Sequence, residues 1–127
     1  DTWAAREKLC QALSATIDSG DWLAFLPSLN HDSVVQRLHW FSSLLLDALK
    51  HQQRITRLTN ADCPALVHQL AQTLSGARLQ AIAADACTCR EQLQSVTGLN
   101  RELILTERLL RWEQYLQPGA VLPVSHL

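Results

Sequence analysis

Near its end the chain carries apolar residues on two opposite sides of one predicted helix. From about Leu99 to Leu116, Leu105, Leu109, Trp112 and Leu116 recur at i, i+4, i+7 and i+11, while Leu99, Leu103 and Leu110 recur at i, i+4 and i+11. At about 100° per residue the two sets point roughly opposite ways. A helix on the surface of a lone domain has one face to bury. A helix with two is either central in its domain or shared with a partner, and the spacing leaves both open.

Helical spacing dominates elsewhere too, and no stretch alternates apolar and polar residues long enough to predict a strand. A first helix is expected over about Trp3 to Ile17, with Trp3, Cys10, Leu13 and Ile17 inward, ending at Ser19-Gly20. Asp21 is placed to cap a short segment from Trp22 to Leu29, which Pro27 keeps short or kinked. A third helix follows Asn30 or Asp32 as cap and runs to about Gln52, its stripe Val34, Leu38, Phe41, Leu45 and Leu49 broadened by Trp40 and Leu44. Pro64 suits the first turn of a fourth helix, where no N–H is needed, running to about Leu74 with Leu66, Val67, Leu70 and Leu74 inward. Ser75 caps a fifth, with Leu79, Ile82, Ala86, Cys89, Leu93 and Val96 inward, alanines for close approach, and a stop at Thr97-Gly98. Asn100 caps the sixth, which ends before Pro118-Gly119. The expected fold is all-α, a single compact array of about five to six helices over residues 1–117, with 118–127 as an extended tail. Short connections favour antiparallel neighbours.

Composition sets limits on function. At 127 residues and 47% hydrophobic, the chain suits one domain that needs no metal or disulfide staple. Eleven basic and twelve acidic residues give a net charge of -1, unlike a strongly basic nucleic-acid binder. No apolar run approaches the roughly 20 residues of a membrane span. The start, Asp1 to Arg6, is helix-like rather than a secretory signal, and the chain has no Met. We expect a piece of a longer polypeptide cut at a domain boundary. Cys10, Cys63, Cys87 and Cys89 sit in or beside helical patterns and are expected as reduced thiols of a cytosolic protein.

No catalytic constellation emerges. Cys87 and Cys89 fall about 200° apart on one helix, whereas zinc ligands must converge. The histidines His31, His39, His51, His68 and His126 show no HExxH or comparable spacing, and no G-x-S-x-G or glycine-rich phosphate cradle is present. Glu107 and Arg111 form an i, i+4 ion pair on the helix surface. Lys50, Arg54 and Arg57, with His51 among them, are candidate phosphate contacts, set against a solvated helix end whose basic residues suit the C-terminal dipole. This gives an alternative reading, a nucleic-acid-binding helical module using the basic stretch 50–57. A zinc-dependent enzyme is a third reading and requires bound metal. The feature left over is surplus apolar surface, of the kind that marks partner sites.

The long collinear run from Ala77 to Leu127 resembles the end of the delta-prime subunit family of bacterial DNA polymerase III. The resemblance is carried by Arg78-Leu79-Gln80-Ala81-Ile82, Arg90-Glu91-Gln92-Leu93, Asn100-Arg101-Glu102-Leu103 and Tyr115-Leu116-Gln117-Pro118-Gly119. The upstream stretches RLHWFSSLLLDALK and LTNADCPALVHQLAQTLS look like the same domain. The resemblance implies a non-catalytic, cytoplasmic part of a DNA-directed DNA polymerase holoenzyme, a nucleotidyltransferase complex. It implies a helical collar that joins delta and gamma/tau in the pentameric clamp loader, which places the sliding clamp on primed DNA. The ATPase-like module and zinc site of that family would lie outside this fragment, so no cofactor is expected here, nor a membrane or small-molecule substrate, and DNA only indirectly. On this reading Leu99, Leu103 and Leu110 are candidate subunit-interface residues.

Overall fold

The computed structural model describes residues 2–55, 57, 59–60, 62–96 and 98–123. Among these, every regular element is helical: α1 (Thr2–Ser19), a 3₁₀ turn (Trp22–Phe25), α2 (Leu26–Leu29), α3 (Val34–Gln52), α4 (Pro64–Thr73), α5 (Gly76–Ser95) and α6 (Arg101–Tyr115). The expected all-α array is the observed one. Thr97 and His126 lie outside the described residues, as does the end of the expected tail. Its beginning, at Pro118-Gly119, is a turn with Gly119 at φ 75°.

Helices α3 and α5 form the central pair. α3 buries Leu38, Phe41, Leu44, Leu45 and Ala48 completely. α5 answers with Leu79, Ile82, Ala83, Ala86 and Cys89, and its small side chains let the axes come close. Where the end of α3 meets the start of α5, a Cβ on Gly76 would stand 3.2 Å from Gln52 Oε1 and 3.4 Å from a Leu49 methyl. Gln52 in turn donates to the carbonyls of Ala71 and Leu74 at 2.9 and 2.6 Å, closing off the end of α4.

An aromatic cluster forms where the 3₁₀ turn meets α3 and α6. Trp22, Phe25, Phe41 and Trp112 are all fully buried and form one aromatic cluster. Phe41 stacks on Trp112 at 5.0 Å, and Trp22 meets Phe25, Phe41 and Trp112 edge to face at 6.1–6.4 Å. Such arrangements suit the ring quadrupoles. Trp22 is thus the centre of the core. Its backbone N–H donates to Glu113 Oε1 at 3.1 Å, while Asp21, the expected cap, makes no side-chain cap bond.

Three other expectations change. Trp3 is 63% exposed, because α1 turns Leu9, Leu13 and Thr16 inward and leaves Cys10 and Ile17 at the edge of the stripe. Val96 is also exposed, as the cap residue just past the end of α5. Neither Asn30 nor Asp32 caps α3. Arg101, from the start of α6, takes Asn30 Oδ1 at 2.7 Å and pairs with Asp32 at 3.3 Å. Ser33 holds the cap position, but its Oγ accepts from Arg37 Nε at 2.9 Å. The caps at Ser75 and Asn100 form as expected, accepting from the N–H groups of Arg78 and Leu103.

Candidate interaction surface

α6 is anchored on one side and bare on the other. Leu105, Leu109 and Trp112 are fully buried. Below them Asp85, on α5, accepts from Arg108, from Arg111 at 3.0 Å and from the Trp112 indole N–H at 2.6 Å. A partly buried carboxylate is stabilised when cationic and N–H donors converge on it. Arg111 does reach Glu107, at 3.6 Å, but Asp85 is its nearer partner. The same surroundings raise the Tyr115 hydroxyl above its usual range, through burial first and the charge of Asp85 second.

The second stripe faces outward. Leu103 is 63% exposed and Leu110 46%, and Leu103 lines a shallow depression with Asn100, Glu102 and Thr106. Leu99 precedes the cap residue Asn100, so it lies outside the helix, half-buried and off the helical phase of the other two. The apolar stripe that belongs to α6 itself is therefore Leu103 and Leu110. This resolves the alternative left open by the spacing: α6 is peripheral, with one face in the core and one toward solvent.

The basic stretch is less coherent than its sequence suggests. Lys50 Nζ lies 3.6 Å from Asp47 and 3.4 Å from Thr59 Oγ1, so its charge faces a buried carboxylate. Burial would push Asp47 up, but hydrogen bonds from the Thr59 N–H and from the Asn60 side chain and N–H outweigh it and hold the carboxyl below its ordinary value. Arg54, two residues past α3, lies in the left-handed region, φ 61°, and both Arg54 and Arg57 are exposed. Among the described residues no ion pair involves either of them.

The remaining candidate groups scatter. His51 and His68 face each other, with Nε2 and Nδ1 3.3 Å apart, and His39 Nδ1 sits 2.8 Å from Arg90 Nη1. Cys89 is fully buried and its thiol is pushed up to about 11 by burial, while Cys87 is half-buried on another side of α5. Among the described residues no group of three or more His, Cys, Asp or Glu side chains converges as metal ligands, and no helix is long and apolar enough to cross a membrane.

Comparison with known proteins decides the family. The family model for the C-terminal part of the DNA polymerase III delta subunit matches residues 1–114. The chain belongs to this family. DNA polymerase III subunit delta' of Escherichia coli (strain K12) is 58% identical over 127 residues, covering 100% of this chain and 38% of that protein. The protein of the same name from Yersinia pestis is 47% identical over 120 residues, 94% of this chain and 35% of its own. That of Buchnera aphidicola subsp. Schizaphis graminum is 32% identical over 117 residues, 91% and 36%. The chain thus spans little more than a third of the length of these DNA polymerase III subunits, and within the family its relatives carry the delta' name.

Proposed function

We propose that this domain is a non-catalytic assembly module of the clamp loader, a collar through which a delta-prime subunit joins delta and gamma/tau. The observation that supports it is the outward stripe of α6, where Leu103 and Leu110 stand exposed on a helix whose opposite face is fully engaged. Exposed leucines at helical spacing on a rigid element suit a helix-to-helix contact with an equivalent domain. Leu99, half-buried just before the cap residue Asn100, is the third candidate residue of the contact. In this role the domain acts in the cytoplasm, needs no cofactor and reaches primed DNA only through the assembled loader.

Light scattering after size exclusion tests it. This chain is mixed with the C-terminal domains of delta and gamma/tau at low and high salt. The expected result is a mixed complex that survives high salt and is weakened by Leu103→Asp. A complex that dissolves steeply with salt points to charge rather than apolar contact and refutes the role given to Leu103. A complex indifferent to Leu103→Asp and Leu110→Asp refutes the assignment of this face.

A further inference from the structure

Between α1 and the start of α4 lies a solvent-open groove of about 390 Å³, with two thiols in its lining. Cys10 Sγ and Cys63 Sγ are 3.2 Å apart and share a hydrogen bond, although 53 residues separate them in the chain. We infer that Cys10 and Cys63 are a redox-active dithiol that a hydroperoxide converts to an intramolecular disulfide, clasping the start of α4 to α1.

The geometry needs little change. A disulfide bond is about 2.05 Å long, so the sulfurs have only roughly 1.2 Å to close. The flanking bonds already hold the two elements together. Arg6 reaches Asp62 at 2.9 Å and Asn60 at 2.6 Å, and Gln69 spans from α4 to Ser14 and Asp18 on α1. Cys63 is fixed by its place just before Pro64, which opens α4. Cys87 and Cys89 lie on α5, one on a separate groove beside His39 and Arg90 and the other inside the core, so neither competes at this position.

The chemistry assigns different parts to the two sulfurs. Burial first, then the hydrogen bond to Cys10 and the neighbouring Asp62, push the Cys63 thiol up to about 12. Cys10 lines the same open groove as the Arg6 guanidinium and is reached by a small oxidant from solvent. With hydrogen peroxide the Cys10 thiolate attacks one oxygen and becomes a sulfenic acid, the O–O bond breaks, and the departing hydroxide takes up the proton that the Cys10 thiol gave up and leaves as water. Cys63 then attacks the sulfenic sulfur, the S–O bond breaks, and a second water carries away the thiol proton. The two thiols lose two electrons together and the peroxide is reduced. An external dithiol reverses the change by exchange.

The test treats the full chain with hydrogen peroxide, alkylates the remaining thiols, and maps the peptides without reduction. The expected result is a mass loss of two hydrogens, one cross-linked peptide pair containing Cys10 and Cys63, and a melting temperature raised on the order of 10 °C, since the cross-link closes a loop of more than 50 residues. Dithiothreitol reverses all three. Cys63→Ser abolishes the change and Cys87→Ser keeps it, while Cys10→Ala gives a second, independent loss if Cys63→Ser folds poorly. Cys10 and Cys63 that stay alkylatable after peroxide, a link through Cys87 or Cys89, or oxidation that stops at sulfinic acid would each overturn the inference.

Discussion

The two buried tryptophans make a sharp comparison, because they share one aromatic cluster and differ in one hydrogen bond. Trp112 donates its indole N–H to Asp85 at 2.6 Å, whereas among the described residues the Trp22 indole N–H has no acceptor. Trp112→Phe and Trp22→Phe remove similar volume from the same packing environment. Each costs about 1 kcal/mol for the gap left in a close-packed core. Trp112→Phe also removes a bond to a charged acceptor, worth about 1.5–3 kcal/mol. Asp85 keeps Arg108 and Arg111, which places the added cost near the low end. Trp22→Phe removes an unpartnered polar atom instead, a change that favours the variant. The expected gap between the two is therefore about 2 kcal/mol, or roughly 7 °C in melting temperature for a chain of 127 residues. Urea denaturation followed by far-ultraviolet circular dichroism measures it, with equal slopes showing that the unfolded states match. Trp112→Ala, which also empties the ring site, should cost about 4 kcal/mol. Equal stabilities for the two phenylalanine variants would refute the weight given to the Asp85 bond.

Other expectations follow from the same geometry. Leu103→Asp should leave the isolated chain within about 0.5 kcal/mol of its parent, since the side chain is largely exposed; a cooperative loss of folding by calorimetry would place Leu103 in the core instead. Ser75→Ala and Asn100→Ala each remove an observed cap and should cost about 1 kcal/mol in the same urea assay. The lowered Asp47 gives stability that is present above the unfolded carboxylate value near 4 and lost as pH falls through the folded value. Melting temperature measured from pH 7 to 2 should thus fall more steeply for the parent than for Asp47→Asn; parallel curves would contradict this.

Periodicity made the long elements legible. α3, α5 and α6 each repeat their apolar residues over several turns, and their inward faces are those the spacing names, Val96 at the end of α5 excepted. The caps at Ser75 and Asn100 were equally readable, because each is a local bond within three residues. What escaped was decided between elements. Trp22 opens a segment too short to show a period, and its burial comes from other elements, among them α3 and α6, whose Phe41 and Trp112 pack on it. Asn30 and Asp32 have the right chemistry for a cap, but Arg101, about 70 residues away, competes successfully for their oxygens. Asp47 interrupts an apolar run on α3, a hint that its carboxylate is buried, yet its donors come from the connection beyond the helix. The outward leucines could be seen, but their exposure could not, since a helical period alone does not say which of two faces a domain can cover. Cys10 and Cys63 carry no local signal at all.

Two arginines, its own Arg101 and Arg78 of α5, hold α6 at both ends. Arg101 ties its first turn to Asn30 and Asp32, and Arg78 donates to the carbonyls of Tyr115 and Gln117 at 3.0 and 3.1 Å just past its last turn. Neither end is free to fray, so the leucines are displayed on a strut whose shape is settled before anything approaches. A partner that meets Leu103 and Leu110 orders side chains and no backbone, and association is spared the entropy of folding a helix on contact. Loosening the hold of either arginine would make the same surface slower to engage and quicker to let go.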